Sequence, residues 1–198
     1  GSTSTAFAPL GWWGGRHVAK RLTSPSPSLR PMSPVRPPAL LPRLADLSDM
    51  ELSQQRATSE GRLRACADTP TASALYEDEL LPLEREAVWR AGRRTPGTDV
   101  DLLFVTVGNQ ANTPIQALLY WQARHVVLLH TDRTEQYAVQ AAQACGLAFG
   151  SGRSLSIGDG LDPSRLYGTV KTVWEEQGRP SDTVIDLTGG FKAMSGAA

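Results

Sequence analysis

The chain is predicted to fold as an α/β domain, a Rossmann-like parallel sheet flanked by helices. Three observations predict it. Apolar runs bounded by turn residues stand at 100–108 (VDLLFVTVG), 125–131 (HVVLLHT), 154–160 (SLSIGDG) and 182–187 (DTVIDL). Continuous rather than alternating apolar runs fit strands buried on both faces, as in a parallel sheet. Between them lie helical patterns at 113–123, 134–146 and 162–178. Strands alternating with helices at this spacing need right-handed crossovers, which place helices on the faces of the sheet.

The first strand ends in Gly108 and is followed by the polar loop NQAN. The first helix is read as opening with Thr113 as N-cap, Pro114 at the first helical position and Gln116 at the third, a capping box whose proline loses no hydrogen bond. The second helix is bounded by Thr134 and Gly146. Cys145 lies in its apolar pattern and reads as a small core residue. The third helix begins at Asp162 and Pro163 and ends at Gly178, with Leu166, Val170, Val173 and Trp174 on one face. After the fourth strand a further helix is expected near Phe191 or Lys192. The text stops at Ala198, so the domain is expected to be truncated at its C-terminus, with at least one more strand to follow.

The rest of the chain divides by composition. Residues 1–46 carry most of the prolines, many serines and six basic residues, with no acid before Asp46. Such a segment buries too little to offset its ordering entropy and is read as an unstructured tail. Alternatives are an organellar transit peptide, or a natural start at Met32 or Met50. Residues 47–98 read as a helical lead-in and linker. Within them 73–89 form a helix interrupted near Pro82, with Leu80, Leu83, Val88 and Trp89 as its apolar stripe; RRTPGTD (93–99) is the boundary turn. The third region, 99–198, is the α/β domain.

Composition excludes several function classes. The 198 residues hold 20 basic and 20 acidic side chains, so no global charge favours a polyanion. No run approaches the ~18 apolar residues of a membrane span. Cys66 and Cys145 have no metal-ligand spacing, no metal is expected, and a reducing cytoplasmic setting follows.

In such sheets ligands bind beyond the carboxyl ends of strands. The loops at 108–113, 130–134, 158–162 and 188–192 are therefore the candidates, and the first and last are richest. In the last, Gly189 and Gly190 let backbone N–H groups turn toward a ligand. Thr188 adds a hydroxyl, Lys192 an ammonium, and the helix start a positive dipole end. Together these can cradle phosphate; the alternative is a plain tight turn with Lys192 in solvent. The loop is not a Walker A motif, because Phe191 separates Gly190 from Lys192 and Ala193 stands at the metal-binding hydroxyl. No G-x-G-x-x-G fingerprint follows the first strand either. Asn109, Gln110 and Asn112 can each donate and accept hydrogen bonds, which suits base edges and ribose hydroxyls. His125 and His130 lack an evident Ser or Cys partner, so hydrolysis gains little support. Asp186 reads as ordering the 188–190 turn, and Asp132 and Asp159 as turn formers.

The string VIDLTGGFKAMSGAA (184–198), with LLFVTVGNQANTPIQAL earlier, resembles the CARF domain, the CRISPR-associated Rossmann fold, over roughly 99–198. The resemblance implies a sensor of cyclic oligoadenylate, often the tetra-adenylate, held on the two-fold axis of a homodimer in type III CRISPR antiviral defence. It implies ligand contacts from Gly108, Asn109, Gln110, Asn112 and Thr113, and from Thr188, Gly189, Gly190, Lys192 and Met194. It implies no cofactor, and a C-terminal effector acting on RNA or DNA, which this sequence lacks. Phe191 departs from the small or hydroxylated residue common there. Some relatives cleave the ring; Lys192, Thr188 and Thr113 are the candidate helpers for such ring nuclease chemistry. An unrelated Rossmann-like nucleotide binder is the third reading.

Overall fold

A computed structural model describes residues 20–22, 36–95, 97, 100–147, 152–158 and 162–189. In chain order the elements are β1 (Lys20–Leu22), α1 (Asp49–Ala65), α2 (Thr69–Leu75), α3 (Leu81–Arg94), β2 (Leu102–Thr106), α4 (Asn112–Trp121), β3 (His125–His130), α5 (Glu135–Ala144), β4 (Gly152–Ser156), α6 (Pro163–Glu176) and β5 (Thr183–Asp186). The sheet order is β1-β5-β2-β3-β4. Strands β5, β2, β3 and β4 are parallel, and β1 pairs antiparallel with β5 at the edge. The predicted Rossmann-like α/β class is therefore the observed one.

The continuous apolar runs are explained by burial on both faces. Leu103 and Val105 of β2, Val126 and Leu128 of β3 and Val184 of β5 face one core cluster, covered by Trp89 of α3, Ile115 and Leu119 of α4, and Ala138 and Ala141 of α5. Leu102, Phe104, Val127 and Leu129 face the other, covered by Leu166 and Val173 of α6 with Val170 and Trp174 beside them. Successive residues of a strand point to opposite faces, so a strand between two helix layers must be apolar at every position. Each fully buried Leu, Val or Phe contributes about 1.5–3 kcal/mol of transfer free energy.

Helix ends follow local chemistry. The Asp162 carboxylate accepts the Ser164 N–H at 2.9 Å and caps α6. Gly146 and Gly178 adopt left-handed φ of 62° and 77° just past α5 and α6, where only glycine does so without cost. One helix start differs from expectation. α4 begins at Asn112, its N-cap is Ala111, and no side-chain cap is made. The Thr113 hydroxyl instead accepts a 2.8 Å bond from Gln110 Nε2, so the loop amide has taken the group that a capping box would use. α1, by contrast, has a complete capping box between Ser48 and Glu51, of a kind that stabilises a helix by about 1 kcal/mol.

The interruption expected near Pro82 is a one-turn π segment, Tyr76–Leu80, between α2 and α3. Leu81 N–H donates to Tyr76 O, five residues back. Proline has no N–H and its ring meets the carbonyl four residues earlier, and the widened turn removes that conflict without ending the helix. Of the expected stripe, Leu80, Leu83 and Trp89 are buried and Val88 is half-buried.

The reading of 1–46 as unstructured does not hold for 36–46. Leu40 and Leu44 are only 2% and 4% exposed, and Ala39 N–H donates to Ala144 O at 2.7 Å. Composition averages over a segment, whereas Leu40 packs with residues of α3 and α5, and Leu44 with the half-buried Leu41 packs with residues of α1 and α3, which pins its end. Residues 20–22 pair with β5; the remainder of the tail lies outside the described residues. Among the described residues no helix is long and apolar enough to cross a membrane.

Candidate functional site

Strand order locates the site. In sequence β2, β3 and β4 progress to one side of the sheet, then β5 returns to the other side of β2. The order therefore reverses between β2 and β5, and ligands of doubly wound sheets bind in the crevice at that switch point. The two loops singled out from the sequence leave the sheet there, side by side.

They are in direct contact, and glycine is the reason. A Cβ on Gly108 would lie 2.1 Å from Gly189 O, and one on Gly189 would lie 2.3 Å from Thr106 O. No side chain fits between these backbones, so two of the glycines named as ligand residues are also what allows the strand ends to close on each other. The Thr106 hydroxyl ties the same strands together, donating to Asp186 O at 3.3 Å. Asp186 Oδ1 accepts the Thr188 N–H at 3.0 Å and also the Thr188 hydroxyl. Its Oδ2 accepts the Trp121 indole N–H at 3.0 Å. Asp186 thus orders the turn, as its position at a strand end predicts.

On the β2 side Asn109 and Gln110 are exposed, Asn112 is half-buried, and Gly108 and Thr113 are buried. Gln110 is held by its bond to Thr113, and Asn112 Oδ1 accepts from Arg85 Nε at 3.3 Å. The structure thus brings together Gly108, Asn109, Gln110, Asn112 and Thr113 with Thr188 and Gly189. Gly190, Phe191, Lys192 and Met194 lie outside the described residues, as does Asp159. Arg85, Trp121 and Thr106 were not anticipated. Arg85 comes from a helix 27 positions before its partner, a distance at which no spacing rule reports contact.

The two hydroxyls considered for ring cleavage are both engaged, Thr188 as donor to Asp186 and Thr113 as acceptor from Gln110. Elsewhere along the edge, Asp132 accepts the Ser156 hydroxyl at 2.5 Å, and Ser156 Oγ in turn accepts the Gly158 N–H at 3.2 Å, which closes the β4 turn. His130 is 3% exposed with its Nδ1 at 3.0 Å from Thr131 O. No serine or cysteine is bonded to it among the described residues, so no nucleophile–base pair is assembled there. The described residues contain no group of three or more His, Cys, Asp or Glu that could hold a metal ion. Clefts of about 610 and 380 Å³ lie on the N-terminal helices, away from the switch point.

The Cys145 thiol is held in its protonated form. Burial pushes its pKa up to about 12, against the opposing influence of Arg85. A raised folded-state value stabilises the fold below the unfolded thiol's pKa, and that stability is lost as pH rises from about 9 toward 12. The folded chain should therefore resist iodoacetamide at Cys145 at pH 8 and react there once unfolded in urea, and its urea midpoint should fall above pH 9. Rapid alkylation of Cys145 in the native state would contradict this.

No family model matches the chain, and no curated protein matches it. The fold and the glycine-lined switch point define the class: a Rossmann-like α/β domain whose β2 and β5 loops meet in a polar, amide-rich edge.

Proposed function

We propose that this chain is a CARF-type sensor domain that binds a cyclic oligoadenylate, most naturally the tetra-adenylate, on the two-fold axis of a cytoplasmic homodimer, and so regulates an effector in antiviral defence. The observation that carries the reading is the meeting of the Gly108 and Gly189 loops at the switch point, the place where this type of sheet takes its ligands. The glycines bring backbone amides to one edge. The positive end of α4, which has no side-chain cap, adds attraction for phosphate. Asn109, Gln110 and Asn112 supply neutral donors and acceptors suited to adenine and ribose. In this reading Gly190 and Lys192 complete the phosphate cradle, Met194 lines it, and Thr188, both of whose donors go to Asp186, fixes the turn that carries it. A ring with two-fold symmetry matches an isologous dimer, each subunit contributing the same groups.

The test is isothermal titration of the chain with cyclic tetra-adenylate, alongside AMP, with sedimentation of the free and bound protein. The expected result is one ring per dimer in the micromolar range or tighter and at least tenfold weaker binding by Lys192→Ala, since a charge-assisted hydrogen bond is worth roughly 1.5–3 kcal/mol. No binding of the ring at tens of micromolar, or binding of AMP alone by a monomer, would overturn the proposal.

A further inference from the structure

Arg85 belongs to α3, in the helical lead-in, yet its Nε–H donates to Asn112 Oδ1 at the start of α4. A guanidinium has five donors and no acceptor. Whatever faces it must therefore be the oxygen of the Asn112 amide, and the Nδ2 amino group is the half left over. No acceptor for that amino group is found among the described residues. Arg85 is half-buried, and burial pushes its guanidinium below the ordinary arginine value; the ionisable groups that oppose this are the Cys145 thiol and the Tyr76 phenol, not a carboxylate. Among the described residues no carboxylate pairs with it. A partly desolvated cation without a carboxylate is costly to keep. Next to a switch-point loop, its positive field favours an anion beyond Asn112.

The geometry points to Arg85 as a positioning residue that turns the Asn112 amide so that the ligand edge carries an N–H donor and takes an acceptor atom, a phosphate oxygen or an unprotonated ring nitrogen. This rests on the reading of the site as one for cyclic oligoadenylate and deepens it. The lead-in helices then belong to the binding site rather than preceding it, and the edge discriminates against a ligand that offers a donor at this position.

The test uses Arg85→Met, Arg85→Lys and Asn112→Asp in the whole chain, titrated with cyclic tetra-adenylate and melted without it. Lysine is also a donor-only cation, so Arg85→Lys should bind within about threefold of the parent, whereas Arg85→Met should bind about tenfold more weakly. Asn112→Asp keeps an oxygen for Arg85 and gains an ion pair, so it should melt no lower than the parent and yet bind more than tenfold more weakly. Parent-like binding by Asn112→Asp or Arg85→Met overturns the assignment, as does Arg85→Lys binding no better than Arg85→Met. If the parent binds no adenylate ring, the reading of the site fails instead. The anchoring is then decided by the Asn112 side-chain amide resonances, which should move in Arg85→Met and hold in Arg85→Lys; resonances unmoved in Arg85→Met overturn it.

Discussion

Gly108→Ala should be among the most damaging single-methyl additions in this chain, lowering its stability by about 3 kcal/mol. The new Cβ would stand 2.1 Å from Gly189 O, well inside any permitted contact. The obstacle is backbone rather than the tip of a flexible side chain. Relief therefore requires β2 and β5 to separate at their carboxyl ends. That would also strain the Thr106–Asp186 bond and the turn that Asp186 holds. For a chain of this size the change should lower the melting temperature by roughly 6–12 °C. Gly189→Ala should behave alike, since its Cβ would lie 2.3 Å from Thr106 O. Thermal melts followed by circular dichroism read both. An alanine variant melting within about 1 °C of the parent would show that the strand ends do not meet as described.

Glu86→Ala should cost about 3–5 kcal/mol, because it strips a buried carboxylate from two arginines. Glu86 is 0% exposed on α3, a position that composition would assign to solvent. Its Oε1 accepts from Arg90 Nε at 2.8 Å and its Oε2 from Arg36 Nη2 at 2.5 Å. The same arginines also reach backbone carbonyls: Arg90 donates to Leu44 O and Leu47 O, each at 2.7 Å, and Arg36 to Leu41 O at 2.9 Å. One carboxylate thus straps residues 36–49 across the helix, and Arg36 also lies over the Trp89 ring at 5.2 Å. With the carboxylate gone, two guanidiniums remain in a partly desolvated place and the strap loses its centre. Urea unfolding should show a lower midpoint, and trypsin should cut faster at Arg43. A loss under about 1 kcal/mol would mean that the segment is held by its leucines alone.

Both results depend on contacts of different legibility. Gly108 stood out as the end of the first apolar run and Gly189 as a residue that lets backbone N–H groups turn toward a ligand, and the apolar runs located the strands. The contact between them needed the strand order, since nothing local says that β5 returns to lie beside β2. Glu86 and Arg36 are 50 positions apart, and the arginine sits in a stretch whose prolines and serines argue against order. The same applies to Arg85 and Asn112. The Thr113 cap failed for a more local reason: a neighbouring glutamine amide competed for the hydroxyl, and the capping pattern does not weigh such competitors.

Local chemistry was sufficient for the alternation of strands and helices, for the stops at Gly146 and Gly178, and for the irregular turn before Pro82, because each depends on backbone preferences and on periodicity within a few residues. Which loops become neighbours, which charges are buried, and how much of the N-terminal segment is ordered were settled by packing. Those outcomes arise from favourable contacts between residues dozens of positions apart, whose free energy exists only once the sheet has brought them together.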